Sequence, residues 1–171
     1  MSQSNGHGAS DNVLLAAGGT GGHLFPAFAL AQELGRRGIA VDLVTDMRGD
    51  KYGSDFPARQ IYRVPSATVA GKDPVSLAKT GVTLMRGVAA AYKLLGELKP
   101  KAVVGFGGYP TFPPLVAARL RRIPSALHEQ NAVLGRANKA LARRVSAIAT
   151  SFDNVAGVDD AARPKIRNTG N

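Results

Sequence analysis

The sequence predicts an α/β protein built on a doubly wound, mostly parallel sheet. Short apolar runs, typical of strands buried on both faces, alternate with longer stretches typical of helices. Two of these apolar runs end in glycine-rich loops, which in such sheets lie where ligands bind. The 171 residues suit one domain of ordinary size. Crossovers between parallel strands should be right-handed.

The first half of the chain contains three predicted strands and one predicted helix. Apolar runs predict strands at residues 13–17, 40–45 and 60–64. Residues 26–37 carry apolar side chains on one helical face and are followed by Gly38, which predicts a helix with a glycine stop. Residues 46–57 and 66–74 contain polar residues, glycine and proline, so we expect irregular structure there.

The second half of the chain continues the alternation. Strands are predicted at residues 102–106, 125–128 and 147–150, and helices at residues 75–98, 113–122 and 135–144. We expect one domain over residues 12–171, preceded by a disordered tail at residues 1–11 that is rich in Ser, Gly and Asn. The chain stops where a new segment would be expected, which indicates a fragment cut at a domain linker.

The composition indicates an anionic partner. The chain has 22 Lys and Arg residues against 12 Asp and Glu, a formal net charge of +10, which favours nucleic acid, an acidic membrane surface or a phosphorylated substrate. Aromatic residues make up only 6% and do not interleave with basic ones, which argues against nucleic acid. Cysteine is absent, which excludes disulfides and thiolate sites, and no apolar run is long enough to span a bilayer.

The strongest local signal is the loop GGTGGH at residues 18–23, between the first predicted strand and helix. Glycines let the backbone approach a ligand closely, and the following helix points its free N–H groups at the loop, which predicts a phosphate or pyrophosphate site. A dinucleotide fingerprint is excluded because Thr20 or Leu24 falls where a glycine is required, and no P-loop lysine follows. The alternative is a plain tight turn.

A second loop, GFGGY, follows the predicted strand at residues 102–106. Parallel strands end at one edge of a sheet, so both loops should face one crevice. We predict that an elongated anion such as a pyrophosphate contacts Gly18, Gly19, Gly21, Gly22, Gly105, Gly107, Gly108 and Tyr109. The alternative for the second loop is that its glycines only permit close packing.

Four polar residues are candidates for catalysis or binding. His23 would lie at a helix N-terminus, where the dipole keeps the ring neutral and able to act as a general base, unless it caps the helix or binds a phosphate oxygen. Glu129 is the second candidate for the base, and Asn131 for contact with sugar hydroxyls. In the structural alternative, Glu129 and Asn131 cap the next helix and tie down the loop. For His128 we expect a structural role.

The predicted helix at residues 75–98 has more apolar positions than one buried stripe needs, and basic residues lie among them. This mixture is compatible with a membrane-surface patch, whereas the alternative is a core helix with a solvated basic face. The predicted membrane patch consists of Val69, Lys72, Leu77, Lys79, Val82, Leu84 and Met85. Further basic residues would favour anionic lipid if they shared that face: Arg119, Arg121, Arg122, Arg136, Lys139, Arg143 and Arg144.

The motifs GGTGGH, GFGGY and HEQN (residues 128–131), in this order and at these intervals, resemble the MurG family of bacterial glycosyltransferases. The resemblance runs from about Val13 to the end of the chain. It implies the GT-B fold, with this chain as the N-terminal, Rossmann-like, acceptor-binding domain and the donor-binding domain absent. The implied reaction is inverting transfer of N-acetylglucosamine from UDP-N-acetylglucosamine to lipid I, the undecaprenyl-pyrophosphoryl muramyl pentapeptide, giving lipid II in peptidoglycan synthesis.

The resemblance also implies roles for single residues. Thr20, Gly21, Gly22 and Asn131 would contact the donor, and His23 would lie near the reacting centre. No cofactor or metal is implied, and the partners would be lipid I, UDP-N-acetylglucosamine and anionic inner-membrane lipids, not nucleic acid. The enzyme would be peripheral on the cytoplasmic face of the inner membrane, and this half alone would have little or no activity. The predicted patch lacks Trp, a departure that weakens the expected membrane attachment.

Two other classes of function are weighed against the transferase. A non-catalytic domain that binds anionic lipid or phosphate would account for the charge without using the glycine loops. A nucleotide-dependent oxidoreductase is disfavoured by the glycine spacing.

Overall fold

The computed structural model describes residues 11–18, 21–46, 55–68 and 73–170. Within these residues the strands are β1 (Asn12–Ala16), β2 (Ala40–Thr45), β3 (Gln60–Arg63), β4 (Ala102–Gly105), β5 (Ser125–Glu129), β6 (Ala147–Thr150) and β7 (Ile166–Asn168). They form one sheet in the order β3-β2-β1-β4-β5-β6-β7, and every neighbouring pair is parallel. The predicted fold class is confirmed, and the described sheet is parallel throughout.

Helices cover both faces of this sheet. The α-helices in the described part of the chain are α1 (Gly21–Arg36), α2 (Pro74–Leu98), α3 (Phe112–Leu120) and α4 (Arg136–Leu141). Side chains alternate along a strand, so Leu14 and Leu15 of β1 enter different cores. Leu14 shares a core with Leu95 of α2 and Leu115 of α3, while Leu15 shares the other with Leu24 of α1. Each fully buried leucine contributes about 1.5–3 kcal/mol.

The strand order reverses between β1 and β4. The chain proceeds from β1 to β2 and β3 on one side of the sheet, and from β4 to β5, β6 and β7 on the other. A crevice opens beyond the carboxyl ends of the two strands at such a reversal. GGTGGH follows β1 and GFGGY follows β4, so the topology places both predicted loops at this crevice.

The helix α1 begins at Gly21, five residues before the start predicted at Pro26. Proline is favoured in the first turn of a helix, which is why the pattern placed the start there. In the structure Pro26 lies inside α1, where it removes one backbone hydrogen bond, and the last two glycines of the loop form the first turn. His23 therefore belongs to the helix itself.

The other predicted elements agree with the structure to within a few residues. α2 begins at Pro74, and Asp73 caps it by accepting a hydrogen bond from the Ser76 backbone N–H at 2.9 Å. α4 ends at Leu141, earlier than predicted, and the three-residue strand β7 is missed because it is too short to show a period. Residues 1–10, 47–54 and 69–72, where we predict a tail and loops, lie outside the described residues.

Candidate functional site

The first glycine loop begins in a closely packed position. Gly18 is buried, and a Cβ atom there would lie 2.8 Å from Oγ1 of Thr45 and 3.2 Å from Cγ of Pro110. A side chain at Gly18 would displace these neighbours. Pro110 follows the second glycine loop in sequence, so the two predicted loops come together at this point.

The first loop ends in the first turn of α1. Gly21 and Gly22 lie in this turn, where backbone N–H groups have no partner within the helix and can bind an anion. Gly22 is exposed to solvent. Gly19 and Thr20, for which we also predict ligand contacts, lie outside the described residues.

The second glycine loop has a backbone that favours glycine. Gly107 has φ +89° and Gly108 has φ +73°, both in the region that side chains disfavour. A Cβ atom on Gly107 would lie 2.9 Å from Cδ2 and 3.0 Å from Nε2 of His23, so the histidine ring packs directly against this loop. The Thr111 hydroxyl lies 2.5 Å from the Gly107 carbonyl and 3.3 Å from the Ala16 carbonyl, which ties the loop to β1.

The remaining predicted residues of the second loop differ in their surroundings. Gly105 is buried, and a Cβ atom there would lie 2.2 Å from Cγ2 of Thr111 and 2.7 Å from Cδ1 of Leu115. Its environment therefore supports the packing alternative for this glycine. Tyr109 is half-buried and begins a 3-10 turn, Tyr109–Thr111, that leads into α3.

His23 lies half-buried where the two loops meet. Burial lowers the pKa of its imidazole below 6.5, and the negative charge of Glu129 opposes that shift without reversing it. The ring is therefore mostly neutral at neutral pH. A neutral imidazole has a ring nitrogen that can accept a proton, which is what a general base requires.

Glu129 is 1% exposed and is satisfied by hydrogen bonds from its own loop and from α4. One carboxylate oxygen accepts from the backbone N–H of Asn131 at 3.1 Å and from its side-chain amide at 2.9 Å. The other accepts from the backbone N–H of Gly135 at 2.8 Å and from the side-chain amide of Asn138 at 2.9 Å. Four donors leave little capacity for a substrate proton, so the geometry supports the structural alternative for Glu129.

Asn131 and His128 are held by the same region. Asn131 is exposed, and its side-chain amide is oriented by Glu129. The Gln130 amide lies 3.0 Å from both Nδ1 of His128 and the Phe106 carbonyl. An NH₂ group only donates, so Nδ1 accepts and the opposite ring nitrogen donates to the Gly170 carbonyl at 3.1 Å. Both ring nitrogens of His128 are thus used internally, in keeping with a structural role.

Sequence reasoning did not single out Thr45, Asp46 and Asn138. Thr45 and Asp46 are buried at the carboxyl end of β2, beside Gly18. The Thr45 hydroxyl is buried and has no hydrogen-bond partner among the described residues. The sequence contained one indication for Thr45 and Asp46, because two polar residues stand where a buried strand ends. The indication for Asn138 was weaker, because it is a polar residue on the buried side of a short helix.

The predicted membrane patch lies largely on the exposed part of α2. No described residue of α2 before Gly87 is buried. The side chains of Leu77, Val82 and Met85 are 47%, 54% and 69% exposed, Lys79 is exposed and Leu84 is half-buried. Val69 and Lys72 lie outside the described residues. In the described ranges, no helix is both long and apolar enough to cross a bilayer, and no three His, Cys, Asp or Glu side chains cluster as metal ligands would.

Proteins of known name match this chain at high identity. A UDP-N-acetylglucosamine–N-acetylmuramyl-(pentapeptide) pyrophosphoryl-undecaprenol N-acetylglucosamine transferase of Allorhizobium ampelinum is 60% identical over 140 residues, which cover 82% of this chain and 38% of that protein. The protein of the same name from Rhodopseudomonas palustris is 57% identical over 159 residues, which cover 93% of this chain and 43% of that protein. The chain thus spans about two fifths of the length of these curated relatives.

Solved structures and a family profile also match this chain to glycosyltransferases. The crystal structure of Acinetobacter baumannii MurG superposes with a TM-score of 0.76 at 30% identity, covering 94% of this chain and 45% of that one. A UDP-GlcNAc 2-epimerase from Neisseria meningitidis, at 18% identity and a TM-score of 0.61, covers 94% of this chain and 46% of that one and shares the fold alone. The profile of the glycosyltransferase family 28 N-terminal domain matches residues 13–150. The chain therefore belongs to glycosyltransferase family 28, of which it carries the N-terminal domain.

Proposed function

We propose that this chain is the acceptor-binding half of an enzyme that transfers N-acetylglucosamine from UDP-N-acetylglucosamine to lipid I, giving lipid II. The observation that carries the proposal is the packing of His23 against Gly107 and Gly108 at the strand reversal, which joins both glycine loops around one candidate base. The names of relatives at 57–61% identity support the same reaction.

The acceptor pyrophosphate would lie over the two loops. Gly21 and Gly22 lie in the first turn of α1, where backbone N–H groups have no partner within the helix and the positive end of the helix dipole lies. Gly108, the more open glycine of the second loop, carries no side chain that would keep an anion away from the backbone. The buried positions Gly18, Gly105 and Gly107 shape the loops, which leaves direct contact to the more open Gly21, Gly22 and Gly108.

The chemical step is an inverting displacement. The acceptor C4 hydroxyl oxygen attacks C1 of N-acetylglucosamine, the bond from C1 to the UDP oxygen breaks, and UDP leaves with the electron pair. The hydroxyl proton passes to a ring nitrogen of His23, whose lowered pKa keeps it neutral and ready to accept. Glu129, the other candidate in the sequence, is disfavoured as this base because both of its oxygens already accept hydrogen bonds.

The donor sugar would be contacted from this domain by Thr20, Gly21, Gly22 and Asn131. Asn131 has the strongest support, since it is exposed while its amide orientation is held by Glu129. Glu129 then acts as a positioning residue, because its hydrogen bonds fix Asn131 relative to the start of α4. A residue held in this way loses less entropy when it binds a sugar hydroxyl.

The exposed part of α2 would bind the cytoplasmic face of the inner membrane. Val75, Val82 and Met85 lie on one side of the helix, and Lys79 and Arg86 lie within the same stripe. An apolar stripe with basic neighbours suits an interface of acyl chains and anionic headgroups. Attachment at this place would bring the glycine loops to a lipid-linked acceptor.

The proposal is tested by transfer activity of the full-length protein. Gly22→Val puts a branched side chain on the first turn of α1, and we expect the rate of transfer to lipid I to fall at least tenfold. Gly35→Val is the matched control, because it lies near the other end of the same helix with open space around it. Equal activity in both variants would contradict the proposal and favour the non-catalytic anion-binding domain.

A further inference from the structure

The described residues form another pocket at the opposite edge of the sheet from the glycine loops. It lies where β5 and β6 begin, is lined by Ser125 and Ser146 among others, and has a volume of about 370 Å³. The glycine loops and HEQN lie at the carboxyl ends of the strands instead. A strand of four or five residues spans roughly 13 Å at 3.3 Å per residue, so a small ligand here does not reach the glycine loops.

Four arginines line this pocket, which we call the arginine pocket: Arg119, Arg122, Arg143 and Arg144. None of the described lining residues is acidic. The Arg143 side chain is paired with Asp159 at 2.7 Å, whereas the side chains of Arg119 and Arg122 have no hydrogen bond or ion pair within the described part of the chain. Like charges held together in a concave site raise the local positive potential, which an anion would relieve.

Arg122 occupies a backbone conformation in which glycine is usual. Its φ is +59°, and it follows α3 at the position where the chain turns out of the helix. The Ile123 backbone N–H donates to the Ala118 carbonyl at 2.9 Å, which is the hydrogen bond of a glycine-type helix end. Arginine is strained in this conformation, and its side chain lines the pocket.

We propose that the arginine pocket binds a phosphate group. A guanidinium is a planar fork of donors that matches two phosphate oxygens at once, and Arg119 and Arg122 have their donors free for this purpose. The serine hydroxyls at the strand ends can supply further donors. The phosphate belongs either to a free phosphorylated compound or to a phospholipid headgroup. This site is independent of the transfer reaction, so either proposal can fail without the other.

The test follows the ¹⁵N-labelled chain by NMR during titration with inorganic phosphate, and separately with vesicles of phosphatidylglycerol or of phosphatidylcholine. The reporters are the side-chain Nε–H groups of Arg119 and Arg122 and the backbone N–H of Ser146. The backbone N–H groups of Gly107 and Gly108 report on the glycine loops in the same spectra. We expect saturable shifts at the arginine reporters.

The variant that tests the pocket combines Arg119→Gln with Arg122→Gly. Glycine suits the backbone at position 122, so the melting temperature should stay the same or rise, and weaker binding cannot then be ascribed to unfolding. We expect at least a tenfold weaker response at Ser146. The matched control combines Arg36→Gln with Lys93→Gln, which removes the same charge from exposed positions on α1 and α2, and its binding should change less than twofold.

Each outcome decides the proposal. A response to inorganic phosphate that the pocket variant loses supports a site for free phosphorylated compounds. A response to phosphatidylglycerol vesicles alone, lost in the pocket variant and kept in the control, supports a headgroup site. The proposal is overturned if neither probe shifts the arginine reporters, or if the control pair weakens binding as much as the pocket variant.

Discussion

At the scale of single residues, the ring of His23 lies against the second glycine loop, where a Cβ atom on Gly107 would come within 3.0 Å of its Nε2. This contact explains two features of the sequence together. Gly107 needs to be glycine both for its positive φ and for the space that the ring occupies. The ring in turn is shielded from water on that side, which is the cause of its lowered pKa.

Replacing His23 tests its role as the base. We expect His23→Ala in the full-length protein to lower kcat for transfer by about 10²- to 10⁴-fold, the usual contribution of a general base, with a small change in KM. Steady-state kinetics with a lipid I analogue measure both constants. A variant with nearly unchanged kcat would show that His23 is not the base.

The pH profile is the control for that variant. A base is active when deprotonated, so the wild-type rate should rise with pH through the pKa of His23 and then level off. The pKa is lowered from 6.5, so the midpoint of this rise should lie below 6.5. His23→Ala should remove the rise, and a midpoint well above 6.5 would contradict the assignment.

Glu129→Gln tests whether the buried carboxylate holds its loop. One oxygen becomes an NH₂ group, which then faces the donors of either Asn131 or Gly135 and Asn138, so hydrogen bonds are lost whichever way the amide turns. We expect the free energy of unfolding to fall by about 1–3 kcal/mol in urea titrations. Asp160→Asn, at an exposed carboxylate, should change it by less than about 0.5 kcal/mol; equal effects would contradict the structural role.

The sequence could predict His23 and Glu129 as candidate site residues, but not which of them has a catalytic role and which a structural one. The HEQN motif predicted a role for Glu129 in the site. Its hydrogen bonds with Gly135 and Asn138, however, form only because α4 packs near the end of β5 in the folded chain. Thr45 was missed for a similar reason, since its place beside Gly18 results from the pairing of β1 with β2. Side-chain contacts across elements require the tertiary fold, which local patterns do not contain.

At the scale of elements, α1 shows how a loop and a helix combine into one site. Its first turn begins with two glycines of the loop, so the N–H groups without a partner within the helix and the base candidate His23 come from the same turn. The pattern predicted the helix but placed its start at Pro26, because proline is common at helix starts. Because the predicted start of the helix was five residues too late, the last three residues of GGTGGH were assigned to a loop, whereas they belong to α1.

The exposed part of α2 gives a prediction of its own. Val82→Gln combined with Met85→Gln should reduce binding to phosphatidylglycerol vesicles severalfold, because it removes apolar side chains that are more than half exposed. Stability should change by less than about 0.5 kcal/mol at such surface positions. Vesicle co-sedimentation measures the binding.

Phe152→Gln is the matched control for α2, because Phe152 is 49% exposed and lies just after β6 rather than on α2. Its vesicle binding should match that of the unaltered chain. If it falls as far as in the α2 variant, or if the α2 variant binds normally, α2 is not the membrane-binding element.

At the scale of the whole molecule, the fold could be predicted because each buried strand is a short apolar run with helical stretches between. Leu14, Leu43 and Val103 illustrate this, since each is an apolar strand residue that the sheet buries almost completely. The strand order could not be predicted, because nothing local states that β4 pairs with β1 and not with β3. That pairing brings the two glycine loops to one crevice.

The same topology separates two regions that are suited to bind an anion. The N-terminus of α1 and the glycine loops lie at the carboxyl edge of the sheet, and the arginine pocket lies at the amino edge. The formal net charge of +10 is therefore compatible with more than one anion-binding region, and composition alone could not show where those regions lie. The net positive charge accounts for attraction to anions in general, whereas the glycine loops would account for a preference for pyrophosphate.

The most direct test is binding of a lipid I analogue without its long lipid tail to this chain, compared with the same sugar carrying only one phosphate. We predict at least tenfold tighter binding of the pyrophosphate form, measured by calorimetry, with that preference lost in Gly22→Val and kept in Gly35→Val. Equal binding of both forms, unaffected by Gly22→Val, would contradict the account and place the acceptor away from the glycine loops.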